Sequence, residues 1–283
     1  MSHLLSHLFH QLDVFGAAPL QGNPLAVVHA AEGLTDEQMA LFARWTQLSE
    51  TTFLLPPTDA TADYRVRIFT PHEELPFAGH PTLGSCRAWL AAGGVPREQT
   101  EVVQQCGVGL VRVRLASGRP DDLAFAAPPL MRSGALDADL LQRLCAAIGV
   151  PSEAVLLHQW VDNGPGWCAL MLADAAQVRA VQVDWELLRD NKLGLVGAHA
   201  QGSDAQFELR ALIGKGRFED PVTGSLQASV AQWLIGAGLA PEAYVATQGH
   251  ALRRSGRVNL AREGGQVWVG GAARICIAGQ VRL

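Results

Sequence analysis

The sequence has little charge, and it contains neither a long apolar run nor a block of basic residues. Charged side chains make up 17% of the 283 residues, and the formal net charge is −5. A protein that binds nucleic acid usually presents a concentrated positive field, so we expect no nucleic-acid partner. A membrane-spanning helix needs roughly 18 consecutive apolar residues, and the N-terminus shows no cationic segment followed by an apolar one. The sequence therefore predicts neither export nor membrane attachment.

Cysteine is scarce and scattered. The five cysteines form no CxxC pair and leave an odd number, which favours free thiols in a reducing compartment over a disulfide framework. We therefore expect a cytoplasmic protein. The cysteines are Cys86, Cys106, Cys145, Cys168 and Cys276.

The sequence also lacks motifs for nucleotide and metal binding. Neither GxGxxG nor GxxxxGK[ST] occurs after a strand in a form that would cradle a nucleotide, so NAD and ATP are not expected. His3, His7 and His10 have the spacing of one helical face, but they adjoin a strand and lack a nearby acidic ligand. The sequence accordingly predicts no metal and no cofactor.

The chain does contain enough apolar sequence for two domains. Hydrophobic residues make up 48% of its 283 residues, which can fill two cores of ordinary size. Helical and strand-like periods follow one another throughout, and Pro128 and Pro129 interrupt them near the middle. We predict an α+β protein with an N-terminal lobe over residues 1–128 and a C-terminal lobe over residues 129–283. We allow the last strand or strands to cross back to the first lobe.

The two halves repeat one pattern of a strand, a loop, a glycine and a helix. GHPTLGSCRAWLAAGG at residues 79–94 corresponds to TGSLQASVAQWLIGAG at residues 223–238. The first turn of a helix carries unpaired N–H groups and the positive end of the helix dipole, so it attracts carboxylates and oxyanions. An ancient duplication would give two similar lobes whose helix starts face one cleft and hold an acidic substrate.

A plainer interpretation of the same residues stays open. Glycine before a helix is common, and Thr223 or Ser225 can serve as an ordinary N-cap. Asp220 before Pro221 can also cap a helix that begins at the proline.

Other elements are predicted from their caps and periods. Thr35 opens a helix with Gln38 as its capping-box partner, and Met39, Phe42 and Trp45 fall on one face of that helix. The end of the chain predicts four short strands, with the sequences YVATQ, RVNLA, QVWVG and ARICIAGQVRL.

Five long motifs occur in a fixed order over the whole chain. They are DVF followed by GNPLAVV, LSETTF, RIFTPHEELPFAGHPTLG, EDPVTGS and VWVGGAARICIAG. In these motifs the chain resembles the PhzF-like isomerases of phenazine biosynthesis, a branch of the diaminopimelate epimerase fold. The resemblance implies two similar lobes, each a mixed β-sheet or barrel around a central helix, with a cleft between them. Because members of this family commonly form dimers, it also implies a homodimer.

The resemblance assigns roles to three residues of the first half. Glu50 matches the glutamate of the S-E-T-x-F motif, which takes a proton from a substrate carbon and returns it elsewhere. His80 matches the G-H-P histidine, which moves or orients the substrate's proton. Gly79 supplies a backbone donor to the substrate.

In the second half, Asp220 matches the family's further polar cleft residue, a catalytic position. Gly224 and Ser225 match the substrate-binding donors of the opposing helix. Epimerases of this fold use two cysteines, one just ahead of each glycine-led helix, and this chain has Ala78 and Thr223 there. Racemisation through paired thiols is therefore disfavoured.

One segment departs from the family pattern. Where many relatives repeat R-x-F-x-P in the second half, this chain has Arg210, Leu212 and Ile213, and we expect residues 209–218 to form a loop that borders the cleft. A change in the residues that line the cleft alters which substrate is accepted, while the residues that transfer the proton stay the same.

The resemblance implies a cofactor-independent isomerase that moves a proton on a small, cyclic carboxylate such as trans-2,3-dihydro-3-hydroxyanthranilate. Two alternatives stay open. One is a non-catalytic protein that binds small acids on the same fold, and the other is a racemase or epimerase.

Overall fold

The computed structural model describes residues 5–283, which form two compact units. The first unit contains the described residues up to Ala126 together with Gly270–Leu283, and the second unit is Ala127–Val269. The chain thus leaves the first unit two residues before the boundary at residue 128 that the sequence indicates. Its last segment returns to the first unit.

The elements of the first unit come mostly from the first half of the chain. Its helices are α1 (Asp36–Thr46) and α2 (Gly79–Ala91). Its strands are β1 (Ser6–Val14), β2 (Asn23–Val28), β3 (Glu50–Leu55), β4 (Tyr64–Phe69), β5 (Glu74–Leu75), β6 (Glu101–Cys106), β7 (Gly109–Ala116), β8 (Arg119–Ala126) and the later part of β16 (Gln266–Arg282).

The second unit has more helices and a similar number of strands. Its helices are α3 (Ala138–Ala147), α4 (Ala175–Ala180), α5 (Trp185–Leu188) and α6 (Gly224–Gly236). Its strands are β9 (Leu157–Trp160), β10 (Trp167–Met171), β11 (Lys192–Ala198), β12 (Phe207–Ile213), β13 (Phe218–Asp220), β14 (Ala243–Gln248), β15 (Gly256–Glu263) and the beginning of β16. No helix within residues 5–283 combines the length and the apolar character that crossing a membrane would take.

The strands of the first unit close into a barrel. Within the described residues they pair in the order β1-β2-β3-β4-β6-β7-β8-β16, and β16 pairs with β1 as well. The β2–β3 and β4–β6 pairs are parallel, whereas the β1–β16 ladder is antiparallel. This is a mixed sheet, and its closure pairs the strand edges that an open sheet would expose.

Helix α2 is the central helix of this barrel. It contacts β1, β2, β3, β6, β7 and β8, and its residues from Gly79 to Cys86 are all buried. A helix that is enclosed on every side needs small residues where the wall comes close. A Cβ atom on Gly84 would lie 2.4 Å from Cδ2 of Leu25 and 3.1 Å from Cγ2 of Val14. The composition of α2 therefore matches its enclosed position.

The second unit places α6 in a comparable setting. Its strands pair in the order β16-β15-β14-β12-β11-β10-β9, and the β10–β11 and β12–β14 pairs are parallel. Helix α6 is buried over most of its length and packs on β15. Gly194 of β11 makes room for it, since a Cβ atom there would lie 2.6 Å from Cδ1 of Leu226.

The prediction for the first helix is confirmed at its start, and its shared face is seen as well. Thr35 and Gln38 form the capping box: the Thr35 hydroxyl accepts from the Gln38 N–H at 3.3 Å, and the Gln38 side chain accepts from the Thr35 N–H at 2.9 Å. Met39 and Phe42 are buried. The Trp45 ring stacks on that of Phe42, with 6.0 Å between the ring centroids, so the two residues share a face as predicted, although Trp45 itself is 77% exposed.

Two further predictions need correction. The segments QVWVG and ARICIAGQVRL are one continuous strand, β16, because Gly270 lets that strand pass close to β8. A Cβ atom on Gly270 would lie 3.1 Å from the Leu123 oxygen and from the Ala124 Cβ. The loop expected over residues 209–218 shrinks to a turn, because residues 209–213 pair with β11 as part of β12, and β13 begins at Phe218.

Candidate active site

Glu50 is the first residue of β3, and the end of α1 fixes its position. Gln47 follows α1 in the left-handed backbone region (φ 54°) and turns the chain towards β3. The hydroxyls of Thr46 and Thr51 lie 3.0 Å apart and join the two elements. β3 then runs parallel to β2, with Glu50 opposite Leu25. The Glu50 side chain is 15% exposed and the rest of β3 is buried, so the carboxylate has limited access to water.

A tight loop between β1 and β2 brings Asn23 next to His80. The Asp13 carboxylate accepts from the Gly22 N–H at 2.8 Å and holds this loop. Only glycine fits at position 22, because a Cβ atom would lie 2.1 Å from the Val14 oxygen. Asn23 is buried, and its Nδ2 lies 3.3 Å from Nδ1 of His80.

The first turn of α2 presents N–H groups without a capping side chain. The N-cap residue is Ala78, which has an extended backbone and makes no side-chain cap. Pro81 has no N–H, so the donors of this buried turn come from Gly79 and His80. Buried helix starts normally find a partner for such donors. The arrangement therefore suits a carboxylate or an oxyanion.

His80 and Glu50 form the central pair of the first unit. Nε2 of His80 lies 3.3 Å from Oε2 of Glu50, and the His80 side chain is only 3% exposed. Burial lowers the pKa of His80 to about 3, against a smaller opposing effect of its hydrogen bond with the Pro24 backbone. The ring is therefore neutral at physiological pH, and Nε2 donates or accepts according to its tautomer. Catalytic contacts of this length often shorten when substrate binds.

In the second unit, Asp220 ends β13 close to the start of α6. The Thr223 hydroxyl donates to Oδ2 of Asp220 at 2.5 Å, and both side chains are buried. The interpretation of Asp220 as an N-cap with Pro221 at the first helical position is wrong. Strand pairing continues through Asp220, opposite Ala211, and α6 begins only at Gly224.

Ser225 is the second residue of α6, and a turn-and-strand segment holds it. Its hydroxyl oxygen accepts from Nε1 of Trp167 at 3.1 Å, and its carbonyl accepts from Nδ2 of Asn163 at 3.0 Å. Because Trp167 uses a lone pair, the Ser225 hydroxyl keeps its proton for another acceptor. The N-cap Thr223 makes no side-chain cap, so the first turn beginning at Gly224 also presents N–H groups.

The structure therefore forms two groups from the predicted residues, one in each unit. Glu50, His80 and Gly79 lie together in the first, and Asp220, Gly224 and Ser225 lie together in the second. Sequence reasoning missed Asn23 as a neighbour of His80. The available signal was its place in GNPLAVV, where a polar residue opens a strand that is otherwise apolar.

Two of the three histidines that have the spacing of a metal-binding face, His7 and His10, lie on β1. His3 lies outside the described residues. Nδ1 of His7 contacts the carbonyl oxygens of His29 and Ala30, and Nδ1 of His10 lies 3.1 Å from Nε2 of His29. Burial lowers the pKa of His29 to about 4. Among residues 5–283, no group of three or more histidines, cysteines or acidic residues is arranged to hold a metal ion.

The thiol positions of the epimerases are occupied by other residues. Ala78 and Thr223 are the N-cap residues of α2 and α6, directly ahead of the two glycines. Cys86 is buried inside α2, and burial raises the pKa of its thiol far above the usual range. It is therefore a core residue and a poor acid or base.

Comparison with known proteins agrees with the motifs. The family model PhzC-PhzF, described as phenazine biosynthesis-like protein, matches residues 12–279. The chain belongs to this family. It is 32% identical to "Antisense-enhancing sequence 1" of Schizosaccharomyces pombe, over 98% of this chain and 99% of that protein. It is also 32% identical to trans-2,3-dihydro-3-hydroxyanthranilate isomerase of Pseudomonas aeruginosa, over 80% of this chain and 78% of that protein.

A solved structure supports the fold assignment of this PhzC-PhzF family member. It is described as a predicted epimerase from Pseudomonas aeruginosa, with a TM-score of 0.80 and 29% identity over 98% of this chain and 99% of that one. The predicted fold class, α+β of the diaminopimelate epimerase type, is confirmed. The chain is an isomerase of the PhzF-like family, as predicted.

Proposed function

We propose that Glu50 is the acid/base group of a cofactor-independent proton shift on a small, cyclic carboxylate. The observation that carries this proposal is the 3.3 Å contact between the Glu50 carboxyl and the neutral, buried imidazole of His80. A carboxylate that is largely withdrawn from water, with a neutral proton donor or acceptor beside it, is suited to moving a proton between carbon atoms. Neither group needs a metal or an organic cofactor for this step.

In the proposed reaction, Glu50 takes a proton from a carbon next to an activating group and returns it to a different carbon. The electron pair of the broken C–H bond moves into the adjoining unsaturated system, and the pair at the other end receives the proton. His80 orients or relays this proton through Nε2. The N–H groups of Gly79 and His80 stabilise the negative charge that develops on the substrate.

The first candidate substrate is trans-2,3-dihydro-3-hydroxyanthranilate, because a relative that is 32% identical carries that compound in its name. Asp220, Gly224 and Ser225 are proposed to bind the polar groups of the substrate. Their support is the buried Asp220–Thr223 pair and the uncapped first turn of α6. Because the R-x-F-x-P repeat is absent around Arg210, substrates with a different ring or side chain are tested as well.

The test is isotope exchange in deuterium oxide with this compound and related cyclic carboxylates. The wild type is expected to incorporate deuterium and to turn over substrate, whereas Glu50→Gln keeps the shape of the side chain and removes the base. We expect a rate reduced at least about a hundredfold, the lower end of general acid–base contributions. Glu98→Gln, which changes an exposed glutamate in the same way, is the matched control and should keep the wild-type rate.

An equal rate in Glu50→Gln and wild type would remove Glu50 from this role. Calorimetric binding of these acids by the wild type, without exchange over the whole panel, would instead identify a binding protein. A racemase is disfavoured because Ala78 and Thr223 stand where paired thiols would be needed.

A homodimer and a cytoplasmic location are further parts of this proposal. The family resemblance supports the dimer, and the five free thiols support a reducing compartment. A mass of one chain in light scattering would contradict the dimer.

A further inference from the structure

Gln248 is the last residue of β14, and its buried amide makes four hydrogen bonds near the start of α6. Its oxygen accepts from the Thr223 N–H at 3.1 Å and from Nε2 of Gln227 at 3.0 Å. Its nitrogen donates to the Asp220 carbonyl at 3.0 Å and to the Thr223 hydroxyl oxygen at 2.9 Å. The two lone pairs and the two N–H groups of the amide are thus all used.

The orientation of this amide is fixed by its backbone partners. The Thr223 N–H can only donate and the Asp220 carbonyl can only accept. If the oxygen and nitrogen of Gln248 were exchanged, its NH₂ group would face the Thr223 N–H, which is a second donor. Its oxygen would face the Asp220 carbonyl, which is a second acceptor. The hydrogen-bond network is what distinguishes the two ends of an amide, and here it requires Nε2 to face the Thr223 hydroxyl oxygen.

The direction of the next hydrogen bond follows. Because the Thr223 oxygen accepts from Gln248, its single proton is available for the 2.5 Å contact with Oδ2 of Asp220. A hydrogen bond that is donated to a carboxylate favours its ionised form. The chain from Gln248 through Thr223 to Asp220 therefore has one consistent arrangement of protons, with Asp220 as the acceptor.

We propose that Gln248 is a positioning residue, which directs the Thr223 proton onto Asp220 and so keeps that carboxyl ionised and oriented. The role of Asp220 towards substrate rests on the proposed function, whereas the direction of the hydrogen bonds does not. Sequence reasoning assigned no role to Gln248, which lies 28 residues after Asp220 in the chain.

Charged groups near Asp220 stay the same in every variant used below. Glu219 pairs with Arg210 at 2.7 Å, and Arg254 lies in the turn that follows Gln248, with its Cβ close to Gly249. A change in the pKa of Asp220 among these variants therefore reports on the Gln248–Thr223 link.

The test measures the pKa of the Asp220 carboxyl by heteronuclear NMR of the aspartate carboxyl carbons, with Asp220→Asn to assign the signal. Gln248→Leu frees the Thr223 proton to turn away, and we expect the pKa of Asp220 to rise by about one to two units, the worth of one hydrogen bond to a charged group. Gln227→Leu is the matched control. This variant removes the buried Gln227 amide that donates to the Gln248 oxygen. The Gln248 nitrogen still donates to the Thr223 hydroxyl, so the pKa of Asp220 should not change.

Thr223→Val removes the same hydrogen bond directly and should raise the pKa of Asp220 by the same amount. The double variant Gln248→Leu/Thr223→Val should give no further rise, because Gln248 acts through Thr223, whereas independent structural effects would add. Thr223→Ser keeps a hydroxyl and should restore the wild-type value. An unchanged pKa in Gln248→Leu, or in Thr223→Val if the former does not fold, would overturn the proposal.

The carboxyl titration uses no substrate, so its outcome is separate from that of the proposed function. Exchange in deuterium oxide is measured with the same variants as a second readout. Exchange should slow in Gln248→Leu and Thr223→Val and stay at the wild-type rate in Gln227→Leu. If the wild type shows no exchange while the pKa shifts occur, the proposed function fails and the positioning role stands.

Discussion

At the scale of single residues, burial of His80 makes the stability of the protein depend on pH. The folded pKa of about 3 lies below the ordinary value of 6.5. Well above pH 6.5 His80 is unprotonated in both the folded and the unfolded chain, so it contributes nothing to the pH dependence of stability. Between these values the unfolded chain binds a proton that the folded chain does not, so stability falls as pH falls. The slope is about 1.4 kcal/mol per pH unit at most.

The measurement is urea unfolding at pH 7 and pH 5 for the wild type and for His80→Gln. Because the variant lacks the titrating group, we expect its free energy of unfolding to fall less between the two pH values, by about 2 kcal/mol. His72→Gln changes an exposed histidine and should follow the wild type. Identical pH slopes in all three proteins would show that folding does not change the pKa of His80.

The residues of the candidate site divide into those that motifs reveal and those that only the fold reveals. Glu50 and His80 belong to long motifs, so a resemblance was enough to single them out. Their surroundings were not accessible in this way, because Asn23 is 57 residues from His80 and Gln248 is 25 residues from Thr223. Such contacts depend on how β-strands and central helices come together, which local sequence patterns do not encode.

At the scale of elements, replacing a glycine by alanine should have opposite effects on stability in helices α2 and α6. Gly84 of α2 has no room for a side chain, since a Cβ atom would lie 2.4 Å from a fully buried Leu25. Gly84→Ala should therefore lower the free energy of unfolding by about 1–3 kcal/mol through overpacking. Gly236 ends α6 and is exposed, and a Cβ atom there would meet nothing within 4 Å. Gly236→Ala should raise stability by up to about 0.5–1 kcal/mol.

Chemical denaturation of both variants checks this pair. The comparison controls for helix propensity, because each substitution replaces a helical glycine by alanine in a helix of 13 residues. Two equally stabilised variants would mean that the wall of the barrel around α2 yields easily and does not enclose the helix tightly.

Elements with strong local signals were predictable, and elements defined by tertiary contacts were not. The cap at Thr35 was identified because capping depends on a few adjacent residues. Strand β11 was missed, since it is largely buried and lacks the alternation of a half-exposed strand. Helix α4 has only six residues, too few for a helical period. The single strand β16 was divided into two in the prediction, because Gly270 meets β8 through a tertiary contact that no local pattern shows.

At the scale of the whole molecule, the free thiols report separately on the two units. Cys86 is buried in the first unit, and Cys145 and Cys168 are buried in the second. Cys276 is exposed, and Cys106 is partly buried. Thiol reagents need the ionised thiol and access to it. Each buried cysteine can therefore react only when its own unit opens.

Labelling of the native protein should accordingly show one fast thiol, Cys276, a slower reaction at Cys106, and protection of the other three. Partial desolvation and the nearby Asp13 carboxylate raise the pKa of the Cys276 thiol, so its labelling rate should increase with pH through the alkaline range. Cys276→Ser should remove the fast phase and leave the rest of the time course unchanged. As the urea concentration increases, labelling of Cys86 should rise when the barrel opens. Cys145 and Cys168 should become labelled together, when the second unit opens. Fast labelling of Cys86 in the absence of denaturant would contradict an enclosed α2, and with it the dry setting proposed for His80.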